Sequence, residues 1–124
     1  MYAEIAAFVN SGATRYLGLN DGSSSNRVVI LYDGTLNRIR AIVSSGGTKY
    51  ADLYYSVTDV TDFHKVAVKY KANDFALWID GVEVASDISG STLPNGTLTK
   101  LAFSEISTTG GLFIGKNRAI AVFK

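Results

Sequence analysis

The stretch FHKVAVKYKANDFALWIDGVEVASD, residues 63–87, decides the fold of this chain. Val66 and Val68 alternate with lysines. Because successive side chains of a strand point to opposite faces, this period of two predicts a strand with one apolar and one polar face. The dipeptide Asp80-Gly81 separates two strand-like runs and tolerates the positive φ angles of a two-residue hairpin turn. The stretch therefore predicts consecutive antiparallel strands.

Similar runs fill the rest of the chain and are separated by clustered glycines, which number 12 against a single proline. A second tight hairpin turn is predicted at Asp33-Gly34. No stretch keeps a helical apolar period, so we expect very little helix. About ten short strands are predicted, at residues 2–9, 14–19, 27–32, 36–43, 49–57, 64–70, 75–79, 82–85, 98–104 and 120–123. This pattern predicts an all-β, antiparallel, two-sheet jelly-roll β-sandwich.

Composition limits both the organisation and the function of the chain. Its 124 residues suit one domain, residues 1–124, and the last run reaches the end of the sequence, so we expect a domain excised from a longer protein. Twelve basic and eleven acidic residues give a formal charge of +1, which argues against nucleic acid as a partner. The apolar runs are far shorter than a bilayer span, so no membrane insertion is expected. The absence of cysteine removes thiol chemistry.

Catalytic signatures are missing from the sequence. A glycosidase needs two facing carboxyl groups, and none of the three glutamates, Glu4, Glu83 and Glu105, belongs to the laminarinase-type pattern Glu-x-Asp followed by Glu. A pair of aspartates brought together by the fold stays open. His64, the single histidine, has no Gly-x-Ser-x-Gly partner and is interpreted as a structural residue at a sheet edge. The chain is therefore predicted not to be an enzyme.

Calcium is the one metal that the sequence leaves open, and no other cofactor is expected. Asn20, Asp21 and Asn26 lie in one predicted loop, and Asp59 and Asp62 lie in another. Calcium accepts such oxygen ligands in flexible geometry. Asn and Asp also form ordinary turns by bonding their own backbone. Both interpretations remain available from the sequence.

Trp78 is the first candidate for ligand contact. It lies on the strand face opposite Phe75, Leu77 and Ile79, which are predicted to face the core. A tryptophan on the outer face either packs against a second layer or forms a platform for a flat ligand such as a sugar ring.

A second group of candidates follows from the same alternation on two neighbouring runs. Tyr50, Asp52 and Tyr54 are predicted to share one strand face, and Arg38 and Arg40 to share another. Aromatic rings beside a carboxylate and guanidinium groups suit a saccharide, whose ring stacks while its hydroxyls are hydrogen-bonded. A packed outer sheet or a subunit interface favours the same residue types.

Residues 63–87 resemble the laminin-G-like, concanavalin A-like domains of bacteriophage tail and virion structural proteins. The matching pattern is a strand that opens with an aromatic residue and His64, the run KVAVKYKANDFAL, another aromatic residue, the Asp80-Gly81 hairpin and a return strand. The resemblance extends to three further segments, NRVVILY (26–32), IRAIVSSGG (39–47) and GLFIGKNRAIAVFK (111–124). It covers nearly the whole chain, but the tail of the family after its last strand is missing here.

This resemblance implies a concanavalin A-like jelly roll in a virion or phage tail, or otherwise outside the cell. Relatives of this kind bind glycans or other receptors, or act as scaffold and decoration. The leading hypothesis is a non-catalytic module that binds a cell-surface polysaccharide, within a trimer or larger homo-oligomer that also contacts other virion proteins. A purely structural assembly module without a sugar ligand is the alternative, and a glycoside hydrolase of the same fold is a minority one.

Overall fold

The computed structural model describes residues 1–106 and 110–123, which form ten strands. No helix long and apolar enough to cross a membrane is found within these two ranges. The strands are β1 (Tyr2–Ala7), β2 (Arg15–Asn20), β3 (Arg27–Tyr32), β4 (Arg38–Ser45), β5 (Thr48–Ser56), β6 (His64–Lys71), β7 (Asp74–Ile79), β8 (Val82–Asp87), β9 (Lys100–Ala102) and β10 (Gly115–Ala121). The predicted all-β architecture is confirmed.

The strands form two five-stranded antiparallel sheets. The first sheet has the order β10-β1-β6-β7-β8 and the second has the order β5-β4-β3-β2-β9. Strands that are distant in the chain become neighbours, as β1 does with both β6 and β10. The fold is therefore a two-sheet jelly-roll β-sandwich.

The core lies between the two sheets and is built by the predicted alternation. Phe75, Leu77 and Ile79 of β7 are buried in it, as are Val66 and Val68 of β6. The lysines of β6 point the other way and are exposed. The inward strand faces are thus the ones that the period of two predicts.

The two predicted hairpin turns have different outcomes. Asp80 and Gly81 adopt φ angles of 52° and 85° between the paired residues Ile79 and Val82, which confirms the two-residue turn. The prediction for Asp33-Gly34 is wrong, because β3 and β4 are joined by the five residues 33–37. The Asp33 carboxylate is buried there and accepts hydrogen bonds from the Thr35 amide and from Arg38, so it organises a wider loop.

The last strand lies earlier in the chain than predicted. β10 spans Gly115–Ala121 instead of residues 120–123, because its backbone pairs with β1 from Ala7 opposite Gly115 to Tyr2 opposite Ala121. β10 is an edge strand, so its polar residues are tolerated in a ladder. Because these polar residues interrupt the alternation of apolar residues, the sequence pattern does not predict the first part of β10. β9 is likewise limited to Lys100–Ala102 within the predicted run 98–104.

Gly18 lies at a tight contact between β2 and β3, which a substitution to alanine would test. A Cβ atom at Gly18 would lie 2.6 Å from Val29 Cγ1 and 2.8 Å from Val29 Cα, whereas a Cβ at Gly34 would meet nothing closer than 3.7 Å. We expect Gly18→Ala to lower the free energy of unfolding by about 1–3 kcal/mol through overpacking. The matched control Gly34→Ala should stay within about 0.5 kcal/mol of wild type. Urea denaturation measures both, and equal losses would contradict this packing.

Candidate functional site

Trp78 lies on the outer face of the first sheet, in one row with two residues of neighbouring strands. Ala67 of β6 pairs with Trp78 of β7 on one side and with Tyr2 of β1 on the other. Adjacent strands are about 4.8 Å apart, so the two aromatic residues stand about 10 Å from each other across the small alanine. Trp78 is 39% exposed. This row forms an aromatic-flanked depression on the sheet surface.

The depression opens into a larger groove, which we call the Trp78 groove. Its volume is about 970 Å³, in the range of small-molecule sites. Its lining is mainly apolar, with Thr92 and Asn95 as polar groups and two lysines. The lining residues are Met1, Tyr2, Ala67, Val68, Lys69, Tyr70, Lys71, Trp78, Thr92, Leu93, Asn95 and Phe123.

The outer face of the second sheet carries a different arrangement, a set of ion pairs centred on Arg40. The Arg40 guanidinium donates from Nε to Asp52 Oδ1 and from Nη2 to Asp52 Oδ2, both at 2.6 Å. Lys49 Nζ lies 2.5 Å from Asp52 Oδ2. Arg40 Nη1 also lies 3.6 Å from the buried carboxylate of Asp33, which pairs with Arg38 at 2.6 Å. We call these five residues the Arg40 network.

The charges of the Arg40 network satisfy one another. Hydrogen bonds from Arg40, opposed by partial burial and assisted by Lys49, lower the pKa of Asp52 to about 2. A carboxylate of this kind stays ionised and cannot donate a proton at neutral pH. The Arg38 guanidinium lies over the Tyr54 ring at 4.7 Å from its centroid, a cation–π contact. The network therefore joins β4, β5 and the 33–37 loop.

The predicted ligand residues do not form one site. Arg38, Arg40, Asp52 and Tyr54 come together on the second sheet, whereas Trp78 lies on the opposite outer face of the sandwich. The role of each in ligand contact stays a prediction.

The prediction that Tyr50 shares a face with Asp52 and Tyr54 is wrong. The pairing of β4 with β5 shifts between Val43 and Ser44, so that a β-bulge places one extra residue in β5. Tyr50 consequently packs against the core beside Phe75. Simple alternation cannot anticipate this change of face, because the bulge is a property of the pair of strands.

Tyr2 and Ala67 are the residues of the Trp78 groove that sequence reasoning missed as functional candidates. Alternation against the buried Ala3 and Ile5 does place Tyr2 on an outer face. The missing information is the pairing of β1 with β6, which brings Tyr2 into the row of Trp78.

The three predicted calcium ligands have structural roles in the loop after β2. Asn20 is fully buried and its Oδ1 accepts a hydrogen bond from the Gly22 amide. Asp21 accepts hydrogen bonds from Ser23 and from Asn26 Nδ2, and these bonds lower its pKa. Asn26 Oδ1 accepts from the Gly46 amide. These oxygens form turns, as the alternative interpretation predicts, and calcium binding stays a prediction. The described residues hold no group of three or more His, Cys, Asp or Glu side chains suited to a metal.

His64 joins the start of β6 to two loops. Its Nδ1 lies 2.7 Å from Asp80 Oδ2 and its Nε2 lies 2.9 Å from the Asp59 carbonyl oxygen. Burial lowers the pKa of His64, but the hydrogen bonds to Asp80 and Asp59 outweigh it and raise the pKa overall. Both ring nitrogens face acceptors, so the imidazolium form is favoured. The half-buried side chain fits the predicted structural role.

Comparison with known proteins adds evidence on the fold. No protein family matches this sequence, and no curated protein does either. The structure is similar to the carbohydrate-binding module CBM66 from Bacillus subtilis, with a TM-score of 0.52 at 15% identity over 73% of this chain and 58% of that one. Mouse laminin α1 domains LG4-5 give a TM-score of 0.48 at 14% identity over 82% of this chain and 25% of that chain. At such low identity the first similarity supports the jelly-roll fold alone.

Removing the Asp52 carboxylate should destabilise the fold in a pH-dependent manner. Because the folded-state pKa of about 2 lies below the ordinary value near 4, the contribution is present above about pH 4 and is lost as pH falls through 2. We expect Asp52→Asn to lose about 1–2 kcal/mol at pH 7 and progressively less between pH 4 and pH 2. Urea denaturation across this range measures the loss, with Asp62→Asn as an exposed control. A loss that does not depend on pH would contradict the assignment.

Breaking the His64–Asp80 pair should destabilise the fold more at acidic pH than at alkaline pH, the reverse of the Asp52 effect. The raised pKa of His64 makes its contribution present below about pH 6.5 and lost as pH rises through the folded-state pKa. We expect His64→Gln to cost about 1 kcal/mol at pH 5.5 and less at pH 8.5. Asp80→Asn keeps the turn chemistry and should cause a similar loss, with little further loss in the double variant. Thermal unfolding at the two pH values would disprove the coupling if the losses were additive.

Proposed function

We propose that this chain is a non-catalytic glycan-recognition module that binds polysaccharide in the Trp78 groove. The observation that carries the proposal is the row Tyr2, Ala67, Trp78, in which two aromatic side chains flank a small residue on an open sheet face. An exposed tryptophan has a large apolar surface to bury and an indole N–H to donate. A ligand ring that covers it would remove that surface from water.

A sugar ring suits this site chemically. Its apolar face stacks on an aromatic side chain, while its hydroxyls need donors and acceptors around the rim. Asn95 lies along the same groove and supplies both, whereas the Thr92 hydroxyl, which donates to the Tyr70 carbonyl oxygen, can act as an acceptor. The fold shared with a carbohydrate-binding module agrees with this reading without locating a ligand.

Two features support a binding module over a hydrolase. The lining of the Trp78 groove, within the described residues, contains no Asp or Glu. Asp33 and Asp52 are both paired with Arg40, and Asp52 is too acidic to protonate a leaving group. A glycoside hydrolase remains the minority alternative.

The biological setting of the proposal is a virion or phage tail, or otherwise the outside of a cell. It is supported by the resemblance of residues 63–87 to tail and virion domains. An open groove binds one sugar segment weakly, so several copies on a trimer or larger assembly would raise the overall affinity through effective concentration. Other virion proteins would hold those copies together.

A purely structural module is the second candidate, and exposed apolar side chains favour it. Among the described residues, six of them lie in or near β9 and β10 and would be covered by a neighbouring subunit. They are Leu101, Phe103, Leu112, Ile114, Val122 and Phe123. In such an assembly Trp78 would contact protein and bind no sugar.

A polysaccharide-binding screen on the purified chain tests the proposal. We expect wild type to bind at least one glycan and Trp78→Ala to weaken that binding about two- to tenfold, because stacking on the indole is lost. Glycan arrays identify the ligand and isothermal titration calorimetry measures its Kd. A chelator arm shows whether calcium at Asn20, Asp21 and Asn26 contributes.

Tyr54→Ala serves as the matched control, since it removes an exposed aromatic ring from the opposite sheet. Binding that falls with Tyr54 and not with Trp78 would move the site to the Arg40 network. A folded sample that binds no glycan, or that cleaves one, would reject the proposal in favour of the structural module or the hydrolase. Circular dichroism checks that each variant is folded.

A further inference from the structure

The Trp78 groove has an uneven distribution of charge. Its charged side chains are Lys69 and Lys71, and no acidic side chain of the described residues lines it. The terminal ammonium of Met1 is turned inward and donates to the Val68 carbonyl oxygen at 2.9 Å. The exposed charge of the groove is therefore provided by the two lysines.

One carboxylate lies near both lysines but forms its ion pair with Lys69. Asp74 is the cross-strand partner of Lys71 at the end of the β6–β7 ladder, but its Oδ2 atom lies 2.6 Å from Lys69 Nζ. The ammonium group of Lys71 has no hydrogen bond or ion pair within residues 1–106 and 110–123. The side chain of Lys71 is exposed. This leaves one ammonium group at the rim without a counter-charge.

From these contacts we infer that the groove selects acidic polysaccharides, with a sugar ring on Trp78 and a carboxylate of the same chain at Lys71. The inference rests on the proposed function and specifies its ligand class. Lys71 and Ala67 lie on the same face of β6, about 13 Å apart along the strand. That distance exceeds a single ring, so the ligand is an oligosaccharide segment that carries uronic acids.

The charge of Lys71 matters because the rest of the molecule gives no electrostatic preference for acidic over neutral polysaccharide. A formal charge of +1 over 124 residues produces little long-range field. Attraction to an acidic polymer must then come from a contact closer than the Debye length of about 8 Å at physiological salt. An exposed ion pair of this kind changes affinity by about two- to fivefold.

The test uses three uronic-acid polymers, polygalacturonate, alginate and hyaluronate, each compared with its carboxyl-reduced form. Reduction removes the charge and keeps the sugar backbone. We expect wild type to bind at least one acid form about two- to fivefold more tightly than the reduced form at 50 mM salt. Lys71→Gln should abolish this preference. Lys116→Gln, an exposed lysine of β10 that is not part of the groove lining, should retain it.

The outcomes separate the inference from the proposal beneath it. Equal binding of acid and reduced forms, still sensitive to Trp78→Ala, would overturn the inference and keep glycan recognition. A preference that survives Lys71→Gln would overturn the assigned contact. Failure of the folded wild-type chain to bind these polymers and any other glycan would reject both. Raising the salt to 500 mM should remove the preference but keep binding to the reduced form.

Discussion

The antiparallel register of β1, β6 and β7 is the constraint on which the surface of this molecule depends. Because side chains alternate with a period of two, a slip of one residue would bury Trp78 and expose Leu77. The turn at Asp80 fixes that register. Its backbone amide donates to the Lys65 carbonyl oxygen, and its carboxylate accepts from the Lys65 amide and faces His64. One aspartate thus combines a positive-φ turn with a clamp on the neighbouring strand.

The two outer faces of the sandwich carry different kinds of side chain, paired charges on the second sheet and two aromatic rings beside an alanine on the first. On the second sheet, the Arg40 network pairs its charges with one another, and a ligand would have to compete with a bidentate Arg40–Asp52 pair. On the first sheet, Tyr2 and Trp78 flank Ala67, and no layer of the residues 1–106 and 110–123 covers Trp78, which is 39% exposed. A ligand therefore gains more from covering the Trp78 groove than from separating the ion pairs.

Sequence reasoning placed residues correctly within single strands but missed what the pairing of strands decides, and the Asp-Gly dipeptide that gives a two-residue turn at Asp80 does not give one at Asp33. The core positions Phe75, Leu77 and Ile79 follow from alternation within β7, and the turn at Asp80 follows from its dipeptide. Tyr50 changed face because a bulge forms only when β5 pairs with β4. The row that includes Tyr2 depends on the pairing of β1 with β6, across more than 60 residues of chain. Pairing of distant strands is a property of the folded topology, which local patterns do not encode.

The exposure of the Trp78 groove to water would limit how tightly one copy of the chain binds a ligand. Trp78 is 39% exposed and the side chain of Lys71 is exposed at the rim, so both are open to water, which weakens charge pairing. A short glycan would gain little net affinity from such exposed contacts, because the loss of rotational and translational freedom offsets part of the gain. On a polymer, however, identical segments recur and several copies of the chain can bind together, so that one dissociation does not release the assembly. An open groove on a rigid sheet face is thus better suited to a repetitive polymer than to a single small molecule.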